Sequence, residues 1–127
     1  MSATPNFATI IRTAATAISA ANAARDGTGT IVDVLPAGAA GTRIDDLDIT
    51  AKVTTTAGMV RLFLKNGANY ALWREYQVPA NTVSATNPAW TISLSNLGLI
   101  LASGWSLAAA TEKAEVFNVI VKRAGDY

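Results

Sequence analysis

The sequence predicts an all-β fold, an antiparallel β-sandwich with jelly-roll-like winding and about eight strands. Three observations carry that reading. Gly58 to Val78, GMVRLFLKNGANYALWREYQV, alternates apolar and polar residues around Asn66-Gly67, a pair that tolerates the backbone of a tight hairpin turn. From Thr28 onward the hydrophobic period is two rather than 3.6. Turn signals built from Gly, Pro, Asn and Ser recur about every ten residues, the spacing of a sandwich.

Taken in order, the first segment is the odd one. Residues 8–24 hold eight alanines among Thr, Ser and Ile, with no aromatic. Phe7, Ile10, Ile11, Ala14, Ile18 and Ala21 fall at helical spacing, with Asn6 as a cap and Gly27 as a stop. The threonines instead favour extended structure. The expectation is an extended arm over residues 1–26 ending in a strand near Ala17–Ala21, with a helix as the competing reading. Residues 27–127 form the sandwich, and removing residues 2–25 is expected to leave it folded.

Thr30–Leu35 is a strand closed by the turn Pro36–Gly41. In Arg43–Val53, Leu47, Ile49, Ala51 and Val53 share one face, and Asp46, Asp48, Thr50 and Lys52 share the other. A three-residue loop in the hairpin, Asn66-Gly67-Ala68, sets Leu64 opposite Tyr70 and Leu62 opposite Leu72, with Arg61 beside Trp73. That register turns Arg74 toward the core, opposite Val60, unless a bulge near Trp73 or the sheet edge relieves it. After the irregular Pro79–Pro88, strands follow at Trp90–Leu94, Leu97–Leu101, Trp105–Ala109 and Glu115–Lys122. In the last, Phe117, Val119 and Val121 share a face.

Composition narrows the chemistry. The 127 residues contain no Cys and no His, which removes thiolate nucleophiles, His-based triads and the commonest metal ligands. Ten basic residues balance nine acidic ones, and Lys122-Arg123 is the only adjacent basic pair, so no nucleic-acid footprint is present. Charged residues make up 15% of a chain that is 50% hydrophobic, a composition suited to an assembly subunit. No apolar run is long enough to span a bilayer as a helix. MSATPNF lacks the features of a signal peptide, which points to synthesis in the cytoplasm.

Candidate sites are few. Asp45, Asp46 and Asp48 lack the Gly and later Glu of a calcium loop. Glu75, Glu112, Glu115 and Asp126 have no spacing that sets two of them at a glycosidase separation. Trp73, Trp90 and Trp105, with Tyr70 and Tyr76, are expected as core or interface anchors before a sugar platform. Gly27, Gly29, Gly38 and Gly41 precede strands and read as turns rather than a phosphate loop. No catalytic residue, metal or cofactor is expected.

A series of ordered motifs remains. Pro36–Gly41 precedes a strand. Arg61–Phe63 is followed by Asn66-Gly67, then by Leu72 and Glu75. Leu101, Gly104 and Leu107 come next, and Gly125-Asp126-Tyr127 closes the series. From Arg25 to Tyr127 this order resembles a family of small structural proteins of tailed-bacteriophage virions. The resemblance implies a non-enzymatic β-sandwich of the virion, above all a capsid decoration protein on the outer surface of the head that stabilises it. The implied partners are the major capsid protein and further copies of itself, as a homotrimer. No nucleic acid, membrane or small-molecule substrate is implied. The alternative is a tail, neck or fibre-associated module that contacts a host glycan. Candidate interface residues are Phe7, Ile10, Ile11, Ile18, Arg61, Trp73, Glu75, Trp90 and Trp105.

Overall fold

The computed structural model describes residues 9–127, and among them there is no helix. Nine strands form: β1 (Ile10–Ile18), β2 (Val32–Pro36), β3 (Thr42–Ala51), β4 (Gly58–Asn66), β5 (Asn69–Val78), β6 (Thr91–Leu94), β7 (Leu99–Leu101), β8 (Trp105–Thr111) and β9 (Phe117–Asp126). They make two antiparallel sheets packed as a sandwich. One has the order β1-β9-β3-β6 with β7 also on β3, and the other has β2-β8-β4-β5.

β6 and β7 act as one interrupted edge strand. Both pair with β3, β6 at Leu47–Thr50 and β7 at Thr42–Ile44. Between them Asn96 and Gly98 adopt left-handed backbone, with φ of 54° and 59°. Counted that way, pairing is nested: β1 with β9, β2 with β8, β3 with β6 and β7, and β4 with β5.

The period of two decides what is buried. Leu47, Ile49 and Ala51 of β3 point between the sheets, as do Val60 and Leu62 of β4 and Phe117, Val119 and Val121 of β9. Burial of such side chains at about 25 cal/mol per Å2 of apolar surface is the main drive for the two layers to meet. Val53, expected on this face, lies beyond the end of β3 and is partly exposed.

The arm expectation is corrected. From Ile10 on, the segment is not an appendage but the edge strand of a sheet, paired with β9 from Ile10↔Asp126 to Ile18↔Phe117. Ile18 is buried in the core. The strand starts earlier than Ala17, and the helical spacing is overridden by the ladder that β9 offers. Residues 19–31 then run as a strap over the outer face of the β8-β4-β5 layer. Ala21 bridges Thr111, Gly27 lies against Tyr70, and Ile31 packs on a small cluster of Phe63, Ala108 and Ala110. Asn22 fastens the strap. Its amide donates to the carbonyls of Thr28 (2.9 Å) and Thr30 (3.0 Å), and its side-chain oxygen accepts from the Ala24 amide.

The hairpin register also differs. Asn66 pairs with Asn69, so the turn has two central residues, Gly67 and Ala68. Only Gly67 needs a positive φ (62°), as a II′ turn requires at its first central position. Leu64 therefore faces Ala71, and Arg61 faces Glu75 rather than sitting beside Trp73. A bulge does fall at Trp73, between the Leu62↔Arg74 and Phe63↔Leu72 pairs. The Arg74 guanidinium is exposed at the sheet edge and stacks 4.6 Å over the Trp73 ring.

A polar knot ties the layers at one end. Asp126 accepts hydrogen bonds from the Thr42 hydroxyl (2.6 Å) and from Arg12 Nη1 (3.0 and 3.1 Å). Arg12 also donates to the Pro36 carbonyl of the other sheet at 3.4 Å. Gly38 passes so close that a Cβ there would sit 2.6 Å from the Asp126 carboxylate.

Two outcomes follow. Asn22→Ala should destabilise the fold by about 2 kcal/mol, since three hydrogen bonds at a buried side chain are lost, measured by denaturant unfolding followed by circular dichroism. Deletion of residues 2–25, which takes β1 and Asn22 with it, should abolish cooperative unfolding rather than leave a folded sandwich.

Candidate interaction surface

Of the residues singled out in the sequence, Phe7 lies outside the described residues. Ile18 is core. Arg61 is only 3% exposed; it sits beneath the strap, where its Nε donates to Glu75 Oε1 at 2.7 Å and its Nη1 to the Asn22 carbonyl at 3.4 Å. Glu75 Oε1 also accepts from Arg25 of the strap. These residues clamp the strap to β4 and β5, so their role in the monomer is internal.

The tryptophans are not gathered on one face. Trp73, Trp90 and Trp105 are each half-buried against the main core. Trp90 meets Phe117 edge-to-face with centroids 6.1 Å apart. Trp105 borders an apolar cavity of about 220 Å3 with Leu64, Ile100, Leu101 and Ala102.

Ile10 and Ile11 are the candidates that stand in the open, and the fold brings them company. Ile11 pairs with Gly125, Gly125 with Arg43, and Arg43 with Ile100, one row across four strands. Paired residues share a face, so Ile11 (87% exposed) and Ile100 (62%) stand on the same outer surface, three strand spacings or roughly 14 Å apart. Gly125 adds no side chain to the row, and Arg43 stands between it and Ile100. Tyr127, 40% exposed, lies alongside, its amide donating to the Gly41 carbonyl. Ile10 and Ile100 also lie at this end of the sandwich. Three of the six large apolar residues exposed among the described residues, Ile11, Ile100 and Tyr127, therefore stand on this face, while Ile10 points to the other face of β1.

A polar cleft of about 150 Å3 adjoins the row, lined by Arg43, Asp45, Asn96, Gly98 and Arg123. Bulges make it. The register of β9 skips between Ala124 and Val121 against β1, which leaves both Lys122 and Arg123 exposed. On β3 the matching irregularity frees Asp45 and Asp46 from alternation. Arg43 Nε donates to Asp45 at 2.9 Å, and that bond is the main reason its pKa rises. Lys122 pairs with Asp48 at 3.1 Å, and Asp46 accepts from the Asn96 amide. The three aspartates are thus engaged by neighbours, and no group of three or more acidic side chains converges on one point among the described residues.

Sequence reading missed Ile100, Tyr127, Arg43 and Arg123, because only the β1-β9-β3-β7 order makes them neighbours of Ile11. The one advance signal was Gly125, a residue without a side chain in a strand otherwise rich in large ones. A scan against family profiles and a search of curated proteins both return no match to this chain.

The two clamps titrate in the same sense. Hydrogen bonds from Arg25 and then Arg61 hold Glu75 below the usual carboxylate range. The Thr42 hydroxyl, followed by Arg12, does the same for Asp126. Each binds its proton more weakly folded than unfolded, so each stabilises the fold fully above the ordinary pKa of about 4. That stabilisation disappears as pH falls through the lower folded value. Thermal midpoints measured from pH 7 to pH 2 should stay level to about pH 5 and then drop. In Glu75→Gln the drop should be shallower.

Proposed function

We propose that this chain is a non-enzymatic structural protein of a phage virion, a capsid decoration protein that seats on the major capsid protein and stabilises the shell. The ordered motifs supply the class. The observation that supports a docking role is the row of exposed aliphatic and aromatic side chains, Ile11, Ile100 and Tyr127, on one end of the β1-β9-β3-β7 surface. Lone exposed apolar residues are ordinary; here Ile11, Ile100 and Tyr127 share one face with Arg43 among them and a polar cleft beside them, a mixture of aliphatic, aromatic and arginine side chains that suits an interface. Repetition over a symmetric shell multiplies a modest contact by avidity. The nested pairing of strands is what results when one long antiparallel ribbon is rolled into two layers, and we assign it to a jelly roll on that basis.

The motifs acquire physical roles under this reading. Pro36–Gly41 and Gly125-Asp126-Tyr127 meet each other, through Gly38 against Asp126 and Gly41 against Tyr127. They build the end of the sheet on which the row stands.

Ile11→Asp combined with Ile100→Asp places two charges on an already solvated face. The variant should keep its thermal midpoint within a few degrees and lose co-sedimentation with undecorated heads. A folded variant that still binds heads as tightly as the parent protein would overturn this placement. Trp73→Ala is expected to weaken the fold without a selective effect on head binding.

A further inference from the structure

We propose that β1 is completed by a second copy of this chain, the two β1 strands pairing antiparallel across a two-fold axis. This goes beyond the decoration reading and does not rest on it. Four edges are available in the sandwich, and three carry devices that discourage strand addition. The β6–β7 edge is broken by the left-handed residues Asn96 and Gly98. β2 is five residues long, shifts register after Asp33 and ends in Pro36. β5 is bulged at Trp73 and carries the charged pair Arg74 and Glu75. Charges, prolines, bulges and short length are the usual means by which native sheets keep edges monomeric.

β1 has none of them. It runs nine residues, and the extra residue in its pairing with β9 belongs to β9, since Thr13 alone spans the gap opposite Lys122 and Arg123. Its outward side chains alternate Ile11, Thr13, Ala15 and Ala17, all exposed and uncharged. Its single charge, Arg12, is taken up by Asp126. A two-fold axis through Ala14 keeps each residue facing one on the same side of the sheet, setting Thr13 opposite Ala15 and Ile11 opposite Ala17 of the second copy. No like charges meet.

The area is small but sufficient. A strand of this length runs about 30 Å, and two layers about 10 Å apart are roughly 20 Å thick with their outward side chains, so fully abutting edges cover at most about 600 Å2 on each partner. That is at the weak end of specific interfaces, about 800 Å2 per side being standard. It describes a dimer of micromolar strength whose outer surface is one continuous sheet carrying two copies of the Ile11–Ile100 row. It replaces the three-fold arrangement implied by the resemblance.

Sedimentation equilibrium on the full chain across micromolar concentrations should give a monomer–dimer equilibrium. Thr13→Lys with Ala15→Lys sets like charges opposite each other across the axis and should give a monomer with an unchanged thermal midpoint at low concentration. Thr13→Glu with Ala15→Glu should also be monomeric, and mixing the two variants should restore a mixed dimer. A parent chain that stays monomeric or forms a trimer would overturn the proposal. So would charge variants that dimerise as the parent does, or oppositely charged variants that fail to associate.

Discussion

The carboxylate of Asp126 is the contact on which the arrangement of the sheets depends. It belongs to β9, receives a hydroxyl from β3 and a guanidinium from β1, and that guanidinium reaches the backbone of β2. Four strands from two layers are positioned by one side chain. An ionised carboxylate has to be surrounded by donors to sit in a largely buried place. The need explains Gly38, because no side chain fits beside it.

A second constraint acts on the opposite surface. The β8-β4-β5 layer would show Phe63, Ala108 and the Arg61 stem to water if residues 19–31 did not cross it. The strap covers them, and its Asn22 carbonyl joins the Glu75 carboxylate of β5 in accepting hydrogen bonds from Arg61, which makes burial of the guanidinium acceptable. A buried guanidinium without such partners would cost several kcal/mol. The outer face of one sheet is thus sealed by its own chain, while among the described residues no such strap crosses the outer face of the other. That asymmetry is why the proposed contacts are placed on the β1-β9-β3-β7 side.

Much of the fold was legible because it rests on local rules. Alternation in Leu47–Ala51 and Phe117–Val121 named their core faces, Asn66-Gly67 marked the hairpin, and the discomfort of Arg74 pointed to a bulge at Trp73. The rest depended on partners distant in sequence. Ile10–Ile18 satisfies helical and extended patterns alike, and only β9, more than a hundred residues away, decides between them. The surface row was illegible for the same reason: Ile11, Arg43 and Ile100 have nothing in common until β9 and β3 set them in one row. Arg61 was readable as a sheet-face residue, but its burial depends on a strap that carries no periodicity at all.

Nested pairing has a temporal side. On the ribosome, β4 and β5 can join as soon as they emerge, because two residues separate them. β3 must wait for β6 and β7, β2 for β8, and β1 for β9, so assembly proceeds from the middle of the chain outward. Closing such long loops is entropically slow, which places this topology among the slower-folding small domains. Throughout that interval β1, with Arg12 as its single charge, stays without its ladder, at the time when neighbouring nascent chains are closest. Docking of β9 between β1 and β3 is therefore the step that ends the exposure of β1 to mispairing.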